Sequence, residues 1–214
     1  MHWDKVPVAN TSPVPDVLRR VLSLQILTVV WMTAEATIAL AAAWAARSPA
    51  LLGFGGDSAI ELFSAMVVLW RFRSKSNSAR AEKIAARIAG PLLFVLAADV
   101  LLASGWALLG HLKAQSSFVG IILLILAALG MPWLANQKRS LAIEIGSTSL
   151  KADAAESALC GYMSWIALAG LLTTTTFGKS WADPVAALVL VPLIVKEGWE
   201  AIRASRRCSN CSLI

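Results

Sequence analysis

Charge is scarce in this chain. Asp, Glu, Lys and Arg make up 15% of its 214 residues, against about 25% in ordinary soluble domains. Histidine is scarcer still, with two residues, one beside the start and one at position 111. No nucleophile–histidine pair can be assembled from them. There is no ATP-binding glycine loop, no strand-type alternation, no internal repeat and no second domain. An enzyme is therefore not expected. Met1-His2-Trp3-Asp4 is polar, and no short apolar stretch with a small-residue cleavage site follows it, so a cleavable signal peptide is not expected either.

What is abundant is apolar surface. Apolar residues are 57% of the chain without counting glycine, and mean hydropathy is +0.68. That is the composition of a membrane protein. A spanning helix needs about 20 residues to cross about 30 Å of hydrocarbon. Six segments qualify: Val21–Trp44, Leu51–Trp70, Ile88–Leu109, Phe118–Ala135, Ile143–Leu172 and Pro184–Ile202. The expectation is an all-α, six-helix multi-pass membrane protein. Residues 1–20 would precede a transmembrane domain at 21–202, and a tail at 203–214 would follow it. The Gly- and Pro-bearing joins Arg47–Gly56 and Gly178–Pro184 read as tight turns between antiparallel helices.

Lys and Arg set the orientation. Only Arg47, Lys113 and Lys179 fall on one side, which leaves 16 of the 19 for the other. Both termini are thus expected in the cytosol, in a plasma or inner membrane if the source is prokaryotic. The net charge of +6 is this topology signal, with contact to anionic lipid, and needs no nucleic-acid partner. Trp44, Trp70, Trp106, Trp133, Trp181 and Trp199 lie near proposed helix ends, as in an aromatic belt.

Against this background the acids stand out. Glu35, Asp57, Glu61, Asp99, Asp153 and Glu156 lie inside proposed spans. A carboxylate at the bilayer centre costs about 2.5–3.5 kcal/mol on insertion scales. Several together point to an ion or proton path facing the bundle interior. Asp57 and Glu61 are four apart on the second helix; Glu156 and Cys160 are four apart on the fifth. Residues at i and i+4 share one helix face, so each helix offers two donors toward one point. Carboxylate oxygens and a thiolate sulfur make a tetrahedral set that Zn²⁺ accepts, and softer ions such as Cd²⁺ as well. At 1.5 Å per residue, Asp57 and Glu61 lie roughly 9 and 15 Å from the outer end, and Cys160 and Glu156 roughly 18 and 24 Å. These depths meet around the midplane, where alternating-access transporters place their sites. Asp153, Glu35 and Asp99 are candidates for an ion or proton path. Cys208 and Cys211 form a C-x-x-C in the tail, reduced in the cytosol and a candidate accessory metal pair.

Three motifs carry a family resemblance. Leu52-Gly53-Phe54-Gly55-Gly56-Asp57-Ser58-Ala59-Ile60-Glu61 resembles the second helix of the cation diffusion facilitator (cation efflux) family. Lys151-Ala152-Asp153-Ala154-Ala155-Glu156-Ser157-Ala158-Leu159-Cys160 resembles its fifth helix. Trp181-Ala182-Asp183-Pro184-Val185-Ala186-Ala187-Leu188 is similar to the start of its sixth. The resemblance implies a homodimeric secondary transporter that exports zinc or a related divalent ion (Cd²⁺, Co²⁺), usually against protons. It implies Asp57, Glu61 and Glu156 as ligands, with Cys160 where the family usually has Asp. The metal would be cargo, with no resident cofactor. Few residues follow Ile202, so a short form without the family's soluble domain is expected. Two readings outside this resemblance remain: a proton or monovalent-cation carrier using the same acids, and a non-transporting metal-binding membrane protein.

Overall fold

The computed structural model describes residues 15–73, 78–111, 114–146 and 148–210. Among them the chain forms six α-helices: α1 Pro15–Ala46, α2 Pro49–Arg73, α3 Ser78–Leu108, α4 Phe118–Glu144, α5 Thr148–Phe177 and α6 Ala182–Asn210. No described residue is in a strand. Among the described residues, four helical stretches are long and apolar enough to cross a membrane, Arg19–Ala46, Gly90–Leu108, Phe118–Glu144 and Asp153–Phe177. α2 and α6 carry the acids Asp57, Glu61 and Glu197.

The helices pack as three main pairs, α4 with α5, α3 with α6 and α1 with α2. α2 is central, touching α1, α3, α5 and α6. The usual polarity of a globule is inverted. Gln25, Thr28, Glu35, Asp57, Ser58, Glu61, Lys138, Asp153 and Ser157 are buried, while Leu102, Val95, Leu129, Ile122 and Val30 are exposed. In lipid this arrangement is favourable, because tails solvate apolar side chains while polar groups must find partners inside the protein. The four hydroxyls of Thr173 to Thr176 do so on their own helix, each donating to the carbonyl four residues back.

Several sequence-derived boundaries shift. The join at 47–56 reduces to Arg47 and Ser48. Arg47 takes a left-handed φ of 50°, the Ser48 hydroxyl accepts from the Leu51 amide at 3.1 Å, and Pro49 occupies the first helical position. Gly53, Gly55 and Gly56 lie inside α2. Their role is close packing: a Cβ on Gly55 would sit 2.8 Å from the Ala39 Cβ of α1, so glycine lets the two backbones approach. The last span does begin after a turn, where Gly178 at φ 62° ends α5 as a left-handed cap. α4 continues past Ala135 to Glu144, and α5 starts at Thr148 and not at Ile143. Lys138 and Arg139, read as loop residues from sequence, are therefore helical. α6 runs on through Asn210, taking in most of the proposed tail.

At the outer ends, Asp183 ties α6 to α2. It accepts from the Ser48 hydroxyl at 2.7 Å and from the Ala50 amide at 3.3 Å, and it is fully buried.

Candidate metal centre

The buried acids separate into two kinds by whether anything donates to them. Glu35 of α1 is the first kind. Trp31 Nε1 donates to its Oε2 at 2.5 Å, and the Ser58 hydroxyl and Cys160 thiol donate to its Oε1 at 2.8 and 3.4 Å. Asp153 of α5 is also of this kind. It forms a 2.9 Å ion pair with Lys138 of α4 and accepts from Gln25 Nε2 of α1 at 2.7 Å. Lys138 also donates to the Ser157 hydroxyl at 2.8 Å. That network is sealed from solvent, with the Lys138 side chain 0% and Asp153 5% exposed.

Asp57 and Glu61 are the second kind. They are 1% and 8% exposed, and none of their four carboxylate oxygens is reached by an N–H or a hydroxyl. A buried acceptor left without a partner costs about 1–3 kcal/mol, and more when charged. Two such residues one turn apart on one helix face bring together two carboxyl groups that no N–H or hydroxyl compensates.

A third acid joins them from another helix. Glu197 of α6 brings a carboxylate oxygen to within 4.8 Å of oxygens of both Asp57 and Glu61. Its Oε1 is also buried without a hydrogen-bond partner. Among the described residues this is the one group of three His, Cys, Asp or Glu side chains clustered at metal-binding separation. Sequence reasoning missed Glu197. It sits in the run Lys196-Glu197-Gly198-Trp199-Glu200, where a charged residue reads as the solvated end of a helix, and no partner stands at i±4 to mark it.

The α5 residues flank this cluster. Cys160 is fully buried and its sulfur stands 3.9 Å from Ser58 Oγ. It is close enough to Asp57 and Glu61 to feel their charge, but its nearest acid is Glu35. Glu156 is half-buried, and its charge acts on both Glu61 and Glu197. Asp99 is not brought to the site. It lies on the exposed face of α3, midway along the span. Cys208 falls on the last turns of α6, and Cys211 lies outside the described residues.

Depth separates the two polar layers. Counting from the outer helix ends, Asp57, Glu61 and Glu197 lie about 12, 18 and 22 Å in, and Lys138, Gln25 and Asp153 about 30–36 Å in, at 1.5 Å per residue. The uncompensated cluster is thus about half-way along α2 and α6, and the ion-paired layer ties α1, α4 and α5 together at a different level.

Comparison with known proteins agrees with this architecture. No curated protein matches the chain at a significant level. The cation efflux transmembrane domain matches residues 26–207, a stretch that runs from the first turns of α1 almost to the end of α6 and contains every residue of the cluster. The chain therefore belongs to the cation efflux family, and is a multi-pass integral membrane protein of a family of cation transporters.

Proposed function

We propose that this protein exports a divalent metal cation, Zn²⁺ or a similar ion such as Cd²⁺ or Co²⁺, in exchange for protons. One observation carries the reading: Asp57 and Glu61 are buried part-way along α2 with no N–H or hydroxyl donor on any of their four oxygens, and the side chain that pairs with Asp57 is another acid, Glu197. A dication supplies the missing compensation. Glu156 and Cys160 stand on the facing helix and offer the remaining donors. As a thiolate, Cys160 would favour softer ions.

Proton exchange follows from the same charges. Carboxylates crowded in a low-dielectric site do not all stay ionised once the cation has left. Protons take its place, and the next metal ion must displace them, so apparent affinity rises with pH. Glu35, hydrogen-bonded to Ser58 and Cys160 beside the cluster, is placed to pass such protons. The charge exchanged stays inside the bundle, where Lys138 and Asp153 already neutralise each other.

The functional assembly in this proposal is a homodimer. Asp99 on the outer face of α3 would otherwise meet lipid at mid-span, at about 2.5–3.5 kcal/mol. A second copy packed there withdraws it.

The test is purified protein in proteoliposomes containing a pH-sensitive dye. Metal addition should move protons against the metal flux, and an imposed proton gradient should accelerate transport. Asp57→Asn and Glu61→Gln keep shape and remove charge. Each should insert normally and lose at least ~10-fold in flux, the scale on which metal sites respond to losing one supporting group. Transport at the native rate in both variants would sink the site. Metal flux without proton movement would reduce the protein to a facilitated carrier. Proton flux without metal would favour the proton-carrier reading instead.

A further inference from the structure

We infer that Glu197 of α6 is a direct ligand of the transported ion, so that the metal is held by three helices and not by α2 and α5 alone. This deepens the proposed function and rests on it. Glu197 stands on a helix that pairs chiefly with α3, yet it turns a carboxylate oxygen to within 4.8 Å of both Asp57 and Glu61. Its Oε1 is buried with no donor, in company with all four oxygens of the α2 pair. Asp57 is 1% exposed and Glu61 8%, and Glu197 is half-buried.

The alternatives for Glu197 do not fit its neighbours. A structural carboxylate in this protein is recognisable by its donors. Glu35 has three, Asp153 has Lys138 and Gln25, and Asp183 has Ser48 and a backbone amide. The cation nearest Glu197 in sequence, Lys196, points to Glu200 at 3.9 Å, with both side chains 60% exposed. Glu197 is thus aimed at two other acids, an arrangement that only a cation or protons can stabilise. Three carboxylates around a point, with one donor from α5, complete a four-coordinate site.

The third helix gives the ligand set a mechanical consequence. Residues from α2 and α5 alone would leave α6 indifferent to the ion. A ligand from α6 couples metal occupancy to the position of the α3–α6 pair against α2.

Equilibrium binding of Zn²⁺, Cd²⁺ and Mn²⁺ to the full-length purified protein tests this directly, alongside a melting curve without metal. Glu197→Gln should melt like the native protein or higher and bind Zn²⁺ at least ~10–100-fold more weakly, the loss typical even of an outer partner of a metal site. Glu197→Cys is the decisive variant, because it replaces a hard ligand with a soft one. It should raise the Cd²⁺-to-Mn²⁺ affinity ratio by ~10-fold or more, following the softness of the new donor, an effect no packing role produces. An unchanged ratio in Glu197→Cys would overturn the inference, as would native Zn²⁺ affinity in Glu197→Gln. Asp57→Asn separates the layers of the argument. If it loses binding while the Glu197 variants behave as native, only the α6 ligand is wrong. If all three bind as native, the site itself is wrong.

Discussion

Replacing Lys138 with methionine should cost this protein a large part of its stability, and the geometry says why. Lys138 is fully buried on α4 and holds Asp153 of α5 at 2.9 Å. Methionine keeps the unbranched stem and deletes the charge. Asp153 would then be a buried carboxylate with one remaining side-chain donor, Gln25 Nε2 at 2.7 Å. Breaking a buried pair by removing one partner costs about 3–5 kcal/mol. The surviving Gln25 bond places the expected value at the lower end. For a chain of this size about 2–4 °C accompanies each kcal/mol, so the melting temperature in detergent should fall by about 6–12 °C. Asp153→Asn in the same background removes the orphaned charge and keeps an acceptor for Gln25. The double variant should therefore recover most of the loss, with a coupling of about 2–3 kcal/mol between the sites. Glu200→Gln is the control. It breaks an exposed i,i+4 pair with Lys196 at 3.9 Å, worth about 0.3–0.5 kcal/mol. If Lys138→Met melts like the native protein, or if the two substitutions simply add, then the Lys138–Asp153 pair does not hold α4 and α5 together and the layered reading of the bundle is wrong.

Other outcomes are checked in simpler assays. Cys160→Asp removes the one soft donor beside the cluster, and transport competition among divalent ions should shift from Cd²⁺ toward Mn²⁺; an unaltered ranking would mean that the thiol only packs against Glu35 and Ser58. Asp99→Cys, with Cys208 and Cys211 changed to Ser, should cross-link two copies on mild oxidation in membranes, since a two-fold interface brings a residue near its own axis mate. A purely monomeric product would count against α3 as the contact.

Membrane character was legible in the sequence because burial in lipid is a property of composition: long apolar stretches, few charges and a one-sided distribution of Lys and Arg need no tertiary information. The pairing of the α2 acids was legible too, since Asp57 and Glu61 are four residues apart and helical geometry alone puts them on one face. Sequence reading went astray where a residue's meaning depends on what packs beside it. The Gly53–Gly56 stretch suggested a turn, but glycine serves equally for close helix contact, and Ala39 at 2.8 Å from a Gly55 Cβ decides the matter. Lys138 looked like a loop cation because a lone lysine is costly in a membrane; only the fold supplies Asp153, fifteen residues away on another helix, to neutralise it. Glu35 and Asp57 are the same chemistry in one dimension. The structure separates them by giving Glu35 an indole, a hydroxyl and a thiol donor and Asp57 only another acid, Glu197. Glu197 shows the limit most plainly. No local periodicity links it to residue 57 or 61, because the contact is made between helices, and the side chains that converge on a point between helices are set by packing angle and depth, which a linear pattern does not contain.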